Sequence, residues 1–87
     1  MNMRITDKIL NLFVDSINTK TGNNLATWTK TESGMKANVG NYHLNYYNGF
    51  VGLDQITSEV GAATVICSTC SNRELHYYMR GFLEGCK

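Results

Sequence analysis

Tyr42-His43-Leu44-Asn45-Tyr46-Tyr47-Asn48-Gly49-Phe50-Val51-Gly52-Leu53 is the stretch that decides the fold of this chain. A two-residue type I′ turn needs positive φ at both central positions, and Asn-Gly tolerates that conformation. Flanked by aromatic and β-branched residues, Asn48-Gly49 predicts an antiparallel hairpin. Outward from it, the sequence stays rich in Thr, Val, Tyr, Phe and Ile, broken by Glu32-Ser33-Gly34 and by Gly61. This reads as a meander with strands over residues 25–31, 35–47, 50–57 and 64–68. Within the second strand the inward parity changes: Met35, Ala37 and Val39 share one face, Tyr42, Leu44 and Tyr46 the other. Gly40 is therefore expected to carry a bulge, with a second tight turn at Gly40-Asn41 as the alternative.

A helix is expected on each side of the meander. Ile9, Leu10, Phe13 and Ile17 recur at helical spacing between Thr6 and Lys20, with Thr6 as N-cap, Asp7 in the first turn and Gly22 after the last. Ser71-Asn72-Arg73-Glu74 has the form of a capping box, in which a serine and a glutamate satisfy each other's backbone N–H groups. Leu75, Tyr78, Met79, Phe82 and Leu83 follow it on one face. The expected class is α+β: a single domain over residues 1–87, with an antiparallel sheet of about four strands and the N- and C-terminal helices packed on one face of it.

Eighty-seven residues leave no room for a second domain, and a chain this short buries only roughly 60–65% of its unfolded surface, so a homo-oligomer is expected. A net charge of +1, from 8 Lys+Arg and 7 Asp+Glu, excludes a polyanionic nucleic-acid mimic and direct DNA binding through a basic field. The N-terminal residues lack the apolar core of a signal peptide, and the apolar run over residues 60–67 is far short of the roughly 20 residues that span a bilayer. A cytoplasmic protein without membrane contact is expected. Three cysteines without a secretory signal argue for reduced thiols rather than a disulfide framework.

Trp28-Thr29, Gly40-Asn41-Tyr42-His43-Leu44, Gly49, Leu53, Ser71-Asn72-Arg73-Glu74-Leu75, Met79-Arg80-Gly81-Phe82-Leu83 and Gly85 form, in that order, a pattern that resembles small accessory proteins of tailed bacteriophages. The likeness covers residues 28–85. Two features depart from the group: the hairpin reads Asn48-Gly49 with a further glycine at 52, and the glycine pair usual before the last strand is reduced to Gly61 followed by Ala62-Ala63. Ten asparagines fit a chain from an AT-rich phage genome. The resemblance implies action on host machinery, as a counter-defence factor in the host cytoplasm.

Enzyme motifs are sparse. Cys67-Ser68-Thr69-Cys70 has metal-knuckle spacing, but His76 and Cys86, ten positions apart on one helix, lie about 15 Å from each other and cannot share an ion. No metal and no cofactor are expected, and small buried thiols at the end of the last strand are the favoured reading of Cys67 and Cys70. His43 and His76 have no recognisable nucleophile or carboxylate partner, so no catalytic residue is assigned.

The informative region lies between Lys36 and Arg73, where Asp54 and Glu59 are the only charges. Exposed strands usually carry Lys or Glu to block edge pairing, so a hairpin without them is expected to be covered, by helices or by another chain. Tyr42, His43, Tyr46, Tyr47 and Phe50 there, with Trp28, are the candidate contact residues, since tyrosine offers rigid area with a polar tip. Of the adjacent pair Tyr46 and Tyr47, one is expected in the core and the other at the contact. Arg73 opposes the helix dipole and invites either an ion pair with Asp54 or Glu59 or an anion held at the helix start. Lys36 and Arg80 are further candidates for phosphates. Two binding modes follow: occlusion of a host defence protein in the manner of anti-CRISPR proteins, or sequestration of a nucleotide signal with rings stacking on bases. A phage accessory role without inhibition is the third.

Overall fold

Asn48 and Gly49 take φ of 49° and 81°, the two positive values of a type I′ turn. In the computed structural model, which describes residues 4–85, this turn joins β3 (Tyr42–Tyr47) to β4 (Phe50–Ile56) in unbroken register from Tyr47↔Phe50 to Tyr42↔Gln55. β4 then pairs with β5 (Ala63–Cys70), giving a three-stranded antiparallel sheet in the order β3-β4-β5.

The expected strand over residues 35–47 is two strands in two sheets. β1 (Trp28–Thr31) and β2 (Gly34–Ala37) form a separate two-stranded hairpin. Between β2 and β3 the chain turns: Gly40 has φ of 95°, and the Asn41 N–H donates to the Asn38 carbonyl at 3.1 Å. The parity change at Gly40 is thus a turn between sheets, and the architecture has five strands rather than four. Gly40 N–H donates to Ile56 O at 2.8 Å and Ile56 N–H to Asn41 O at 2.9 Å, so β4 itself holds the turn in place. Residues 25–27 are loop, with the carbonyls of Ala26 and Asn24 accepting from the side chains of Asn38 at 2.8 Å and Asn41 at 2.7 Å. The bulges lie in β5 instead, on either side of the Leu53↔Cys67 pair.

α1 (Asp7–Lys20) and α2 (Asn72–Gly85) both cover one face of the three-stranded sheet, as the sequence leads one to expect. Thr6 Oγ1 caps α1 by accepting from Ile9 N–H at 3.3 Å. The capping box of α2 is closed in both directions, Glu74 N–H to Ser71 Oγ and Ser71 N–H to Glu74 Oε1, each at 3.2 Å. Leu10, Val14 and Ile17 of α1 and Leu75 and Met79 of α2 pack with Tyr42, Val51 and Leu53, while Phe13, Phe82 and Leu83 close the margins. Tyr78 differs from expectation: it sits at the rim, 41% exposed, with its hydroxyl directed to Ile66 O at 3.4 Å.

A buried polar contact fixes α1 on the sheet. The Asn18 side chain, fully buried, accepts from Tyr42 N–H at 2.8 Å and donates to Tyr42 O at 3.0 Å. Its amide acts as one residue of a neighbouring strand along the edge of β3. At the other end, Asn72 Nδ2 donates to Ile5 O at 2.9 Å and ties the start of α2 to the segment leading into α1.

Asn18→Ala leaves both backbone groups of Tyr42 without that partner in a dry site, so it should destabilise the fold by at least about 2 kcal/mol in chemical denaturation. A surface asparagine such as Asn11 serves as the control. The pH dependence of the α2 cap follows from Glu74, whose carboxyl is held below its ordinary range by the hydrogen bonds with Ser71. A depressed folded pKa contributes stability above the unfolded value and loses it as pH falls through the folded one. The stability difference between the native protein and Glu74→Ala should therefore be constant near neutrality and shrink on acidification through the carboxylate range.

Candidate functional site

Strand alternation gives the three-stranded sheet a second face that neither helix covers. Tyr42, Leu44, Val51 and Leu53 point to the helices, so His43, Asn45 and Tyr47 of β3 and Phe50 and Asp54 of β4 point away, joined by Val65 opposite Asp54. Tyr47 is 66% exposed, Phe50 52% and Val65 60%. Tyr47 and Phe50 are direct cross-strand partners next to the turn, which places their rings side by side. Asp54 is the one charged residue that the described strands turn to this face.

At Gly52, which carries no side chain, the bulged backbone of β5 occupies the space that a Cβ would need. A Cβ there would come within 2.7 Å of Cys67 O and 3.1 Å of Thr69 N, both backbone atoms of the bulged strand. Beside it lies a shallow concavity of about 290 Å³ walled by Asn45, Tyr47, Asp54, Val65 and residues 67–69. It is uncharged apart from Asp54 and rimmed by an aromatic ring.

The structure gathers three of the sequence-derived candidates, His43, Tyr47 and Phe50, on this face and disperses the others. Tyr42 is a core residue, buried and edge-on to Phe82 at 5.4 Å between ring centroids. Its assignment as a contact residue is corrected: it lies on the helix side, in the grip of Asn18. Tyr46 lies on that side too but is not core, being 53% exposed. Tyr46 lines a second, polar concavity of about 440 Å³ with Arg4, Gly49 and the first residues of the two helices, Asp7 and Asn72. Partial burial, and then the Asp7 carboxylate to which its hydroxyl is bonded, push the Tyr46 phenol upward. The expectation that one tyrosine of the pair is core and the other contact therefore fails on its first half.

Trp28 is spent on docking the small hairpin: a Cβ on Gly61 would lie 2.8 Å from its ring. Lys36 pairs with Glu59 at 3.9 Å in an exposed ion pair, and Ala37 N–H donates to Glu59 O at 2.9 Å. Among the described residues no ion pair joins Arg73 to Asp54 or Glu59. The cap beside Arg73 is already filled by the Glu74 carboxylate, which leaves little for an external anion. Arg80 is exposed on α2, across the sheet from Tyr47 and Phe50. His43 keeps its Nδ1 buried and without a hydrogen-bond partner, opposite Asp54 in the ladder.

Among the described residues no three His, Cys, Asp or Glu side chains gather into a metal-ligand group, and Cys86 lies outside the described residues. Also among them, no helix is long and apolar enough to cross a membrane. No protein family, curated protein or solved structure matches this chain.

Sequence reasoning missed Asn45, Asp54 and Val65. The first two were within reach, because a two-residue turn at 48–49 fixes every β3-β4 pair. Val65 was not, since the bulges of β5 change its register. The division of the tyrosines is testable by denaturation: Tyr42→Ala should cost about 3 kcal/mol or more, whereas Tyr46→Ala should cost less than about 1 kcal/mol.

Proposed function

We propose that this protein is a non-enzymatic binding protein that occludes another protein with the uncovered face of its three-stranded sheet. The observation that carries this reading is the exposed Tyr47–Phe50 pair beside a nearly uncharged hollow. Flat, rigid aromatic area with polar tips and few charges suits a protein interface, where Tyr is enriched and Lys and Glu are depleted. The resemblance to phage accessory proteins makes the partner a bacterial defence protein and the setting the host cytoplasm, with inhibition by blocking a working surface.

Sequestration of a nucleotide has less support. Such a ligand needs rings and cations around one cavity. Here Lys36 is engaged with Glu59 in the small sheet, and Arg73 and Arg80 sit on α2, behind the face that presents Tyr47 and Phe50.

Tyr47→Ala with Phe50→Ala should leave the melting temperature nearly unchanged and weaken partner binding by roughly 1–3 kcal/mol, measured on the partner retained from infected-cell lysate and identified by native mass spectrometry. Arg73→Ala should bind as the native protein does. Loss of activity in Arg73→Ala with the aromatic double variant fully active would reverse the reading in favour of an anionic ligand.

A further inference from the structure

Cys67 and Cys70 are three positions apart, and in a regular strand they would point to opposite faces about 10 Å from each other. β5 is not regular there. Cys70 is opposite Val51 and Cys67 is opposite Leu53, so three residues of β4 face four of β5. The extra residue returns both cysteines to the helix side, where both pack against the core cluster. Being opposite residues two apart, their Cα atoms are spaced by about 6.5 Å. That lies at the upper end of the roughly 4.4–6.8 Å Cα separation of a disulfide. Because the two side chains leave the same face in parallel, their Cβ atoms must close by about 2 Å to bridge, a movement that the irregular backbone of the bulge has to supply. Both sulfurs are free, Cys70 has Cys67 as its neighbour, and the Cys67 thiol donates to Ser68 O at 3.6 Å. Gly52 makes the arrangement possible, because any Cβ at that position would collide with the bulged backbone at Cys67 and Thr69.

We propose that Cys67 and Cys70 form a redox-active dithiol that closes to an intrastrand disulfide across the β5 bulge on meeting a low-molecular-weight disulfide. The step balances without any other reagent. The Cys67 thiol releases its proton to solvent, and its sulfur attacks the small disulfide, forming a mixed disulfide and expelling one small thiolate. Cys70 then loses its proton, and its sulfur attacks Cys67 Sγ and expels the second thiolate. Two protein thiols are oxidised and one disulfide is reduced. The order follows from burial: burial, and then the neighbouring Cys67, push the Cys70 thiol up to about 11, so Cys70 holds its proton at neutral pH and resolves rather than attacks. Closure pins the backbone that forms one wall of the hollow beside Tyr47, which couples the redox state of the pair to the uncovered face.

The test is oxidation of the full chain over a series of oxidised-to-reduced glutathione ratios, followed by acid quench, alkylation and peptide mapping. No Lys or Arg lies between Lys36 and Arg73, so trypsin leaves both cysteines on one peptide. The expected product is that peptide lighter by two hydrogen atoms and closed to alkylation. Cys70→Ser should instead keep one glutathione on Cys67, and Cys67→Ser should leave Cys70 open to alkylation. The proposal is overturned if the native peptide carries two alkyl groups at every ratio, or carries glutathione without ever forming the internal bridge.

Discussion

The two hydrogen bonds between the Asn18 side chain and the backbone of Tyr42 decide which side of the sheet becomes interior. β3 is an edge strand, and its outward N–H and C=O groups would otherwise face either water or another chain. A carboxamide carries the same donor and acceptor as a peptide unit, so one buried asparagine on α1 can pair the edge at Tyr42 and fix the height of the helix at once. Once α1 is seated there, Leu10, Val14 and Ile17 fall over Tyr42, Val51 and Leu53, and α2 follows through Leu75 and Met79. Removing the asparagine would do more than lose two bonds, because it would free the layer that separates core from contact surface.

The same constraint explains the aromatic distribution. A chain of this size has one helix layer to spend, and both helices lie on the Tyr42 side. Tyr47, Phe50 and Val65 are left in water by elimination, beside the shallow concavity that Asn45 and Asp54 help to wall. The small β1-β2 hairpin does not relieve this exposure, because it docks elsewhere, through Trp28 on Gly61 and through Ala37 on the Glu59 carbonyl. At the opposite edge β5 carries no charge, and its bulges, together with Tyr78 reaching Ile66 O, interrupt the regular ladder that a second strand would need.

What was legible in the sequence was what local chemistry determines. The Asn48-Gly49 turn, the Thr6 cap and the Ser71–Glu74 capping box each depend on residues within a few positions, and all three form. The α+β class and the placement of both helices on one face followed from periodicity. The break at Gly40 was not legible, because a bulge and a turn share the same local pattern; the partners that settle it, Ile56 O and the 24–25 carbonyls, are remote in sequence. Parity showed that Tyr46 and Tyr47 point apart, but not which side the helices take, nor that Tyr46 stays about half exposed on the helix side. Asn18 and Asn41 read as surface residues by type and are fully buried by role, which no pattern of apolar spacing reveals.

One face of the three-stranded sheet is sealed by the helices and the other is left uncovered. Solvent paramagnetic relaxation in NMR spectra of the dilute protein reads this residue by residue. Strong enhancement is expected at the Tyr47 and Phe50 rings and the Val65 methyls, with weak enhancement at Leu53, Leu75 and Met79. Protection of Tyr47 and Phe50 equal to that of the core residues would overturn this arrangement, because the second face would already be closed.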